Sequence, residues 1–461
     1  MKKTLAVIAL STLLATPVLA DSQPADSQPA NTEGGLAMKM KGINLNFGGF
    51  IEAASIYRSK NENSDVSSKF NAIPTQTNAN FDEYHDETRF SARQSRFNIL
   101  ATGDVSPTIH LAGYYEMDFL GAASTANSTE SNSYNPRIRH LYTTADWDSL
   151  GLHLLAGQTW SLVTMNNKGI TPRNEVTPLT IEAQYVPGFS WARQPQFRIT
   201  KDFDKQLWLA VSVENPQTTV GGTTPGTLNT AAQPAAANGG GSLSGVSVSQ
   251  NDVPDVVFKA AYEPGWGHFE VYDLLRTFKS NIGSFSKETT VNSVGGGVIL
   301  PLIPNHLTLQ ASGMYGRGNG RYGSGQLVDA TEDATGQFVP LTEAQLLTGL
   351  VYDPTSEWNF YGYYGLEQVQ REDLANATAN YGYGSALNTA TSQSIQRIDQ
   401  ITAGTWWKFL QGRYGRMQAG LQYSYTQDKY FSGLNSAKTA QVSGMKTTDQ
   451  MAFASLRYYW Q

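Results

Sequence analysis

The feature of this sequence that most limits its fold is a two-residue alternation of apolar and polar side chains, which recurs along most of the chain. The first example starts at Ile43, where one parity is apolar and the other polar, with Phe50 as the exception. Further examples occupy residues 110–119, 207–214, 307–313 and 417–425. Alternation with a period of two predicts β-strands with one apolar and one polar face. Segments of about ten residues are long enough for a tilted strand to cross a bilayer.

The connections between these segments are of two kinds. Short ones, rich in Pro, Gly and Asp, include 104–107, 146–151, 263–267, 301–305, 353–357 and 410–415. Long ones include 59–87, 120–135, 158–190, 215–253, 317–343, 369–394 and 429–447. Short periplasmic turns and long external loops are typical of bacterial outer-membrane barrels. Counting both kinds predicts an all-β fold, a transmembrane antiparallel β-barrel of about sixteen strands, which is wide enough for an aqueous channel.

A soluble β-sandwich or β-propeller, secreted to the periplasm, is the alternative that this alternation leaves open. Backbone polarity favours the barrel, because in lipid every N–H and C=O group must pair within the protein, and a closed sheet achieves this without a long apolar run. The aromatic content of 11%, with 23 tyrosines, also favours it. Aromatic side chains form girdles at both membrane interfaces of such barrels.

The two ends of the chain predict an exported protein of the Gram-negative outer membrane. Residues 1–20 combine two lysines, an apolar run and small residues before a cleavage point, the pattern of a cleaved signal peptide. Residues 21–42, with a repeated DSQPA, are predicted to form a flexible periplasmic segment, and residues 43–461 to form the barrel. The last strand resembles the terminal strand by which such proteins are recognised for assembly, except that Gln461 follows Trp460.

Several classes of function are disfavoured. The chain has no cysteine, which excludes disulfides and thiolate chemistry, and its net charge of −6 argues against a nucleic-acid partner. The six histidines stand in no catalytic motif, so we expect neither an enzyme nor a cofactor or metal site. A plugged energy-driven transporter is disfavoured because it would need about 22 strands and a plug domain, whereas about sixteen strands are predicted here. The remaining alternative is a structural or adhesion barrel that acts through external loops 215–253 and 369–394.

Strand arginines carry the functional prediction, because an arginine at mid-membrane is costly when it faces lipid and cheap when it faces water. In QSRFNIL and RQPQFRIT the aromatic and apolar residues take the lipid parity and leave Arg96 and Arg198 facing the lumen. Arg139 and Arg276 are expected to face inward too, although a leucine shares the parity of each. Guanidinium groups on one wall would form a ladder for anions.

Two details of this charge pattern stay open. The lumen acids Glu116, Asp118, Glu214 and Glu270 would cancel the field if they paired with these arginines. A further pair of arginines falls on the outward parity and is expected at the external rim or at a subunit contact; these are Arg93 and Arg193.

Segment 158–190 has no alternation of its own and is predicted to fold into the lumen, where it would narrow the channel. This placement sets Lys168 and Arg173 opposite the arginine wall. An ordinary surface loop is the alternative. The predicted solute-binding residues are Arg96, Arg139, Arg198, Arg276, Lys168 and Arg173.

A family resemblance extends from about residue 47 to the end of the chain. Its motifs are FGGFIEA, ARQSRFNI, YYEMDFLG, PRIRHLYTTADW, GQTWSL, ARQPQFRIT, VSVENP, VVFKAAYEPGWGHFEVYDLLR, GRGNGRY and SLRYYW. Together they resemble the DcaP-like porins, which implies a homotrimer of sixteen-stranded channels for passive diffusion of dicarboxylates and other small anions. It also implies that loop 158–190 enters the pore and that Arg96, Arg139, Arg198 and Arg276 line it. The family's N-terminal coiled coil is not matched, because residues 21–42 have no heptads.

Overall fold

The computed structural model describes residues 36–62, 64–75, 84–121, 135–223, 251–282, 285–375 and 380–460. The predicted signal peptide over residues 1–20 lies outside the described residues, as does most of the predicted flexible segment. No α-helix in the described ranges has the length and hydropathy needed to cross a membrane.

Twenty-four strands are present in the described ranges. In chain order they are β1 (Leu36–Met40), β2 (Ile43–Arg58), β3 (Glu87–Ser91), β4 (Arg96–Ser106), β5 (Ile109–Asp118), β6 (Arg137–Trp147), β7 (Leu152–Trp160), β8 (Arg193–Phe203), β9 (Leu207–Glu214), β10 (Asp255–Tyr262), β11 (His268–Ile282), β12 (Phe285–Ile303), β13 (Leu307–Arg317), β14 (Ala330–Glu332), β15 (Phe338–Pro340), β16 (Thr342–Tyr352), β17 (Trp358–Val369), β18 (Glu372–Ala375), β19 (Asn380–Tyr383), β20 (Ile395–Gly412), β21 (Gly415–Tyr430), β22 (Gly433–Leu434), β23 (Gln441–Val442) and β24 (Lys446–Trp460).

Eighteen of these strands form one antiparallel sheet that closes where β2 pairs with β24. Strands β3 and β4 both pair with β2, one beyond the other, and so occupy a single position in the barrel. Strands β1 and β24 lie on the same side of β2. Strand β24 pairs with residues 49–58 of β2 and β1 pairs with residues 43–47, so β1 extends the position of β24 in the barrel. The barrel therefore has sixteen strand positions, which confirms the predicted fold class.

The two ends of the predicted barrel segment differ slightly from the prediction. Pairing begins at Leu36 in β1, so the last part of the segment predicted to be flexible is a strand rather than a loose lead-in. Trp460 ends β24 opposite Gly49. Gln461 lies outside the described residues.

The two faces of the wall have opposite chemistry. Large apolar side chains are exposed on the outer face, among them Ile51, Phe97, Ile99, Leu111, Phe197, Ile199, Leu209, Phe258, Val271, Leu350, Ile401 and Leu421. Polar side chains are buried on the inner face, among them Glu52, Asn98, Glu116, Thr144, Gln196, Ser212, Lys259, Gln345, Thr402, Gln418, Gln422 and Ser455. This is the division expected of a barrel that meets lipid outside and water inside.

Aromatic side chains cluster at the end of the barrel with the short turns. Trp266 and Tyr414 lie in two of those turns and are largely exposed. Trp358 stacks on Trp407 with ring centroids 5.6 Å apart. Amphipathic rings at this level form the girdle that is found at the membrane interface of transmembrane barrels.

The apolar core lies inside the lumen and is made by loops that fold into it. Residues 161–192 are mostly buried and pack against strands β16 to β21, as predicted for segment 158–190. We name residues 161–192 the constriction loop. Two more segments, predicted as ordinary external loops, also fold inward: residues 59–75, apart from the undescribed residue 63, and residues 318–341. In the described part of the chain, three loops rather than one therefore narrow the lumen.

Candidate pore constriction

The constriction loop is tied to the wall opposite its own strands. The backbone N–H of Ile181 donates to Oε1 of Gln422 at 2.5 Å, and that of Leu179 donates to the hydroxyl of Tyr363 at 3.2 Å. Trp406 of β20 donates from Nε1 to the carbonyl oxygen of Leu179 at 2.8 Å. Buried donors and acceptors that pair in this way fix the loop in one position across the lumen.

A close backbone approach holds the far part of the same loop. Gly188 has φ +85°, and a Cβ atom there would overlap the carbonyl oxygen of Leu346 on β16. A Cβ atom on Gly365 of β17 would likewise overlap the carbonyl oxygen of Pro187. Only glycine lets the loop backbone lie directly against the wall at these two points.

Arg96 and Arg198 lie where the parity argument predicts, with side chains on the inner face of β4 and β8. The guanidinium of Arg96 lies 5.3 Å from the ring centre of Phe50. Arg198 donates from Nε and Nη2 to Oε1 of Gln196 at 3.0 and 2.8 Å, and from Nη2 to the carbonyl oxygen of Trp160 at 2.8 Å. In the described part of the chain, all the hydrogen-bond partners of Arg198 are therefore uncharged.

Arg139 also faces inward, and a β-bulge explains why its parity was ambiguous. Glu116 on β5 pairs with His140, and the next residue of β5 pairs with Ile138, so the pairing skips Arg139. Arg139 and His140 are both buried, while Leu141 is half exposed on the outer face. A bulge places two successive side chains on one face, which reconciles an inward arginine with an outward leucine two residues later.

The charge of Arg139 is balanced within the lumen. Its Nε donates to Oε1 of Glu116 at 2.6 Å, and its Nη1 donates to Oδ2 of Asp118 at 3.1 Å. Its Nη2 donates to the hydroxyl of Tyr185 on the constriction loop at 3.3 Å. The lumen acids Glu116 and Asp118 therefore cancel the positive charge of Arg139, as considered from the sequence.

Arg276 faces inward as predicted, and its hydrogen bonds hold loop 318–341 against the wall. Its Nε donates to Oδ2 of Asp255 at 3.2 Å, and its Nη1 donates to Oδ1 of Asp329 at 2.7 Å. It also donates to the carbonyl oxygen of Gly318. Leu274, which shares its parity, faces inward because the constriction loop covers it with apolar side chains.

The two cations of the constriction loop differ in environment. Lys168 is exposed, and Arg173 is half buried. Arg173 donates from Nη1 to the hydroxyl of Tyr142 at 3.2 Å, and its guanidinium lies 5.7 Å from the ring centre of Tyr114. Burial raises the pKa of the neighbouring Glu175 carboxyl above its ordinary value.

The other two lumen acids have partners outside the predicted arginine set. Glu270 binds Nζ of Lys259 at 2.8 Å and accepts a hydrogen bond from the backbone N–H of Asn166 at 3.1 Å. Glu214 accepts from the backbone N–H of Leu162 at 2.8 Å and from the hydroxyl of Ser212 at 2.7 Å. Both carboxylates serve mainly to hold the base of the constriction loop.

The expectation for Arg93 and Arg193 was wrong. Arg93 lies in the irregular turn between β3 and β4, where it is buried and paired with Asp65. The guanidinium of Arg193 lies over Trp160 and Trp191, 4.7 and 5.5 Å from their ring centres. Parity places the side chain of Arg193 outward, but it is the first residue of β8 and stacks on the buried rings at the base of the loop. No signal in the sequence distinguishes such a strand end from a strand interior.

Comparison with known proteins identifies the fold. Neither a family model nor a curated protein matches the chain. Among solved structures, the outer membrane channel DcaP of Acinetobacter baumannii is similar with a TM-score of 0.65 and 18% identity, over 92% of this chain and 99% of that one. The anion-selective porin of Comamonas acidovorans is similar with a TM-score of 0.50 and 10% identity, over 91% of this chain and 100% of that one. The chain therefore has the porin-like fold of an outer-membrane channel, and the resemblance to the DcaP-like porins is confirmed for the fold.

Proposed function

We propose that the chain is an outer-membrane porin that forms a water-filled channel for passive diffusion of small anionic solutes of the dicarboxylate type. The closed barrel, the apolar outer face and the aromatic girdle support a place in the outer membrane of a Gram-negative cell. The polar inner face supports an aqueous path, and the inserted loops support a size limit on what passes. Similarity to an anion-selective porin is consistent with this function but does not establish it for this chain.

The observation that carries the anion preference is the environment of Arg198. This guanidinium is buried in the wall, and within the described part of the chain its hydrogen bonds go only to Gln196 and a backbone carbonyl. A guanidinium keeps its charge when buried, and the nearby carboxylates Glu175 and Glu214 act on Arg198 through space, without a hydrogen bond to it. A fixed cation beside a narrow lumen with low-dielectric walls raises the local concentration of anions and repels cations.

Arg96, Arg173 and Lys168 extend this positive surface. Arg173 is positioned by a tyrosine hydroxyl rather than by an acid, and Lys168 is exposed at the tip of the constriction loop. Arg139 and Arg276 contribute less to the field, because each has two carboxylate partners. A dicarboxylate fits this arrangement, because two carboxylates can engage two guanidinium groups at once through charge-assisted hydrogen bonds.

Three copies of the barrel are proposed to associate side by side, each with its own pore. Beyond the resemblance, the outer face of β2 supports this. Ser55 on that face is opposite Ala454 of β24, so this part of the wall is small and only weakly apolar. A flat surface of this kind suits contact with another barrel better than contact with lipid.

A planar-bilayer recording under a salt gradient tests the function. The purified protein is expected to conduct with a reversal potential that favours chloride, and succinate is expected to block the chloride current transiently. Replacing Arg96 and Arg198 together by alanine is expected to lower the preference and weaken the block, while the barrel stays folded. A wild-type channel that prefers cations, or a double variant with unchanged selectivity, would refute the assignment. A folded barrel that does not conduct would favour the structural or adhesion alternative.

A further inference from the structure

Three buried carboxylates lie where residues 59–62 and 64–75, which we name the mouth loop, meet the wall: Glu62 of the loop itself, Asp428 of β21 and Asp449 of β24. Asp428 is fully buried, and among the described residues neither of its carboxylate oxygens has a hydrogen-bond partner. Glu62 and Asp449 are also buried, and each has one oxygen without a partner in the described part of the chain, Oε1 and Oδ2 respectively. An ionised carboxylate without a partner in a dry interior is strongly unfavourable, so this cluster needs protons or a cation to be stable.

Charged groups surround the cluster on the described elements packed against it. Arg58 on β2, Glu182 on the constriction loop and Asp449 on β24 act on Glu62, and Lys60 on the mouth loop and Asp399 on β20 act on Asp428. Arg58 lies 3.9 Å from Glu62 but binds Glu87 at 2.8 Å, and Nζ of Lys60 donates to Oγ1 of Thr447 at 2.6 Å. Asp399 is neutralised by its own partners, Arg397 and Lys429. Arg58 and Lys60 are therefore left to balance four carboxylates, those of Glu62, Glu182, Asp428 and Asp449.

The same cluster lies at the attachment point of the mouth loop. Val66, Phe70 and Ile73 are almost completely buried in the apolar core that includes the constriction loop. Ser68 donates from its backbone and hydroxyl to Glu182 at 3.1 and 2.7 Å, so the two loops hold each other. Glu62 accepts a hydrogen bond from the backbone N–H of Lys69 at 2.7 Å. The ionisation of Glu62 is therefore coupled to the position of the mouth loop.

We propose that Glu62, Asp428 and Asp449 form a proton-operated latch: the mouth loop stays inside the barrel while the cluster holds a proton, and it swings outward when the cluster is fully ionised. Three negative charges in one buried space repel one another, and outward movement of the loop carries Glu62 into water, where its charge is solvated. The channel mouth is then wider at high pH than at low pH. This inference concerns the width of the channel and does not depend on its anion preference.

The pH range follows from Glu62. Burial, opposed by Arg58 and assisted by Asp449, raises the pKa of this carboxyl from its ordinary 4.5 to about 8. A group whose pKa is raised in the closed state stabilises that state fully below its ordinary pKa, and the stabilisation is lost as pH rises toward the raised value. The closed state is therefore expected to lose stability from about pH 4.5 to about pH 8 as Glu62 ionises.

Single-channel conductance from pH 4.5 to 9 is the first measurement. The wild type is expected to conduct more as pH rises from about 4.5 to about 8. Glu62→Gln places a neutral amide in the cluster and should keep the low conductance throughout, and Asp428→Asn should act in the same direction if the first variant does not assemble. Glu357→Gln, an exposed carboxylate in a short turn, is the matched control and should keep the wild-type response.

Movement of the loop itself is measured by labelling, for which the absence of native cysteines is convenient. Ser64 is buried in the mouth loop, and Ser436 is exposed in another loop. The maleimide labelling rate of any cysteine rises with pH because the thiolate is the reactive form. The labelling rate of Ser64→Cys is therefore divided by that of Ser436→Cys, which removes this common dependence and leaves the exposure of the mouth loop. Release of one proton allows the ratio to rise by at most roughly tenfold per pH unit. With Glu62→Gln added, the ratio is expected to stay flat.

Two results would overturn the latch. One is a wild-type labelling ratio that does not change with pH, or one that changes equally in the Glu62→Gln background. The other is a pH response that disappears with a chelator and returns with added calcium, because the cluster would then hold a metal ion instead of protons.

Discussion

The indole Nε1 of Trp406 donates a hydrogen bond to the carbonyl oxygen of Leu179 at 2.8 Å, and this bond joins β20 to the constriction loop that it faces across the lumen. Trp406 is completely buried, whereas its neighbour Trp407 lies on the outer face and is 43% exposed. Two adjacent tryptophans on one strand therefore have different roles, one in positioning the loop and the other at the membrane interface.

Trp406→Phe is expected to loosen the constriction loop. The substitution keeps most of the apolar volume but leaves the Leu179 carbonyl without its donor, at a cost of about 1–3 kcal/mol. Single-channel recordings should show more frequent conductance fluctuations than the wild type. Trp407→Phe is the control and should behave like the wild type. An equal frequency of conductance fluctuations in the two variants would show that the hydrogen bond from Trp406 to the Leu179 carbonyl does not hold the constriction loop.

Gly188→Ala is expected to push the constriction loop away from β16. Its methyl group would overlap the Leu346 carbonyl, and alanine also disfavours the positive φ at this position. The mean conductance should rise, and larger neutral sugars should enter liposomes that contain the variant. Gly362→Ala on β17 is the control, because a Cβ atom there meets only a backbone oxygen at 4.0 Å. Unchanged sugar uptake would mean that the loop absorbs the extra methyl group in place.

Arg139→Gln is expected to shift the selectivity of the channel toward cations and to lower the stability of the folded barrel. It leaves Glu116 without its closest cation and Asp118 with Arg137 alone. Breaking a buried ion pair from one side costs about 3–5 kcal/mol. The reversal potential should shift toward cation preference, and the urea midpoint of unfolding should fall. Arg139→Lys keeps the charge and should show a smaller shift of both. A variant with wild-type selectivity would mean that these acids lie outside the conducting path.

Ala454→Trp is expected to break the trimer. The residue lies on the outer face of β24 opposite Ser55, and an indole would disrupt a flat contact between barrels. Light scattering in mild detergent and seminative gels should show trimers for the wild type and monomers for the variant. Ala403→Trp, on the outer face of β20, is the control and should remain trimeric. A wild-type monomer at every temperature would contradict the proposed assembly.

Local alternation was sufficient to predict the barrel. The apolar residues of each strand indicate which of its faces meets lipid, and this can be read without knowing the rest of the chain. Arg96 and Arg198 follow this rule, since both flanking apolar residues face outward. The prediction for these two arginines depends only on the environment on each side of one wall. The inward position of segment 158–190, which has no alternation, was instead favoured by its position in the chain and implied by the family resemblance.

Features that strand parity left unclear or missed depend on contacts between distant segments. Leu274 made the direction of Arg276 unclear because the two share a parity, and it faces inward because Leu162 and Val163 of the constriction loop pack on the same part of the wall. The inward position of the mouth loop depends on a core assembled from residues more than three hundred positions apart, such as Val66 and Met451. Parity along a strand carries no information on which loop covers the strand.

The bulge in β6 shows how such a wall tolerates a change in strand length. Arg139 is an extra residue relative to β5, and the alternation of lipid-facing residues resumes at Leu141 as though it were not there. The extra residue thus places one more side chain in the lumen without altering the lipid-facing surface. Insertions and deletions of single residues, which would invert the faces of an unbulged strand, therefore give a barrel of this kind an evolutionary route to new solute preferences that leaves its fit to the membrane unchanged.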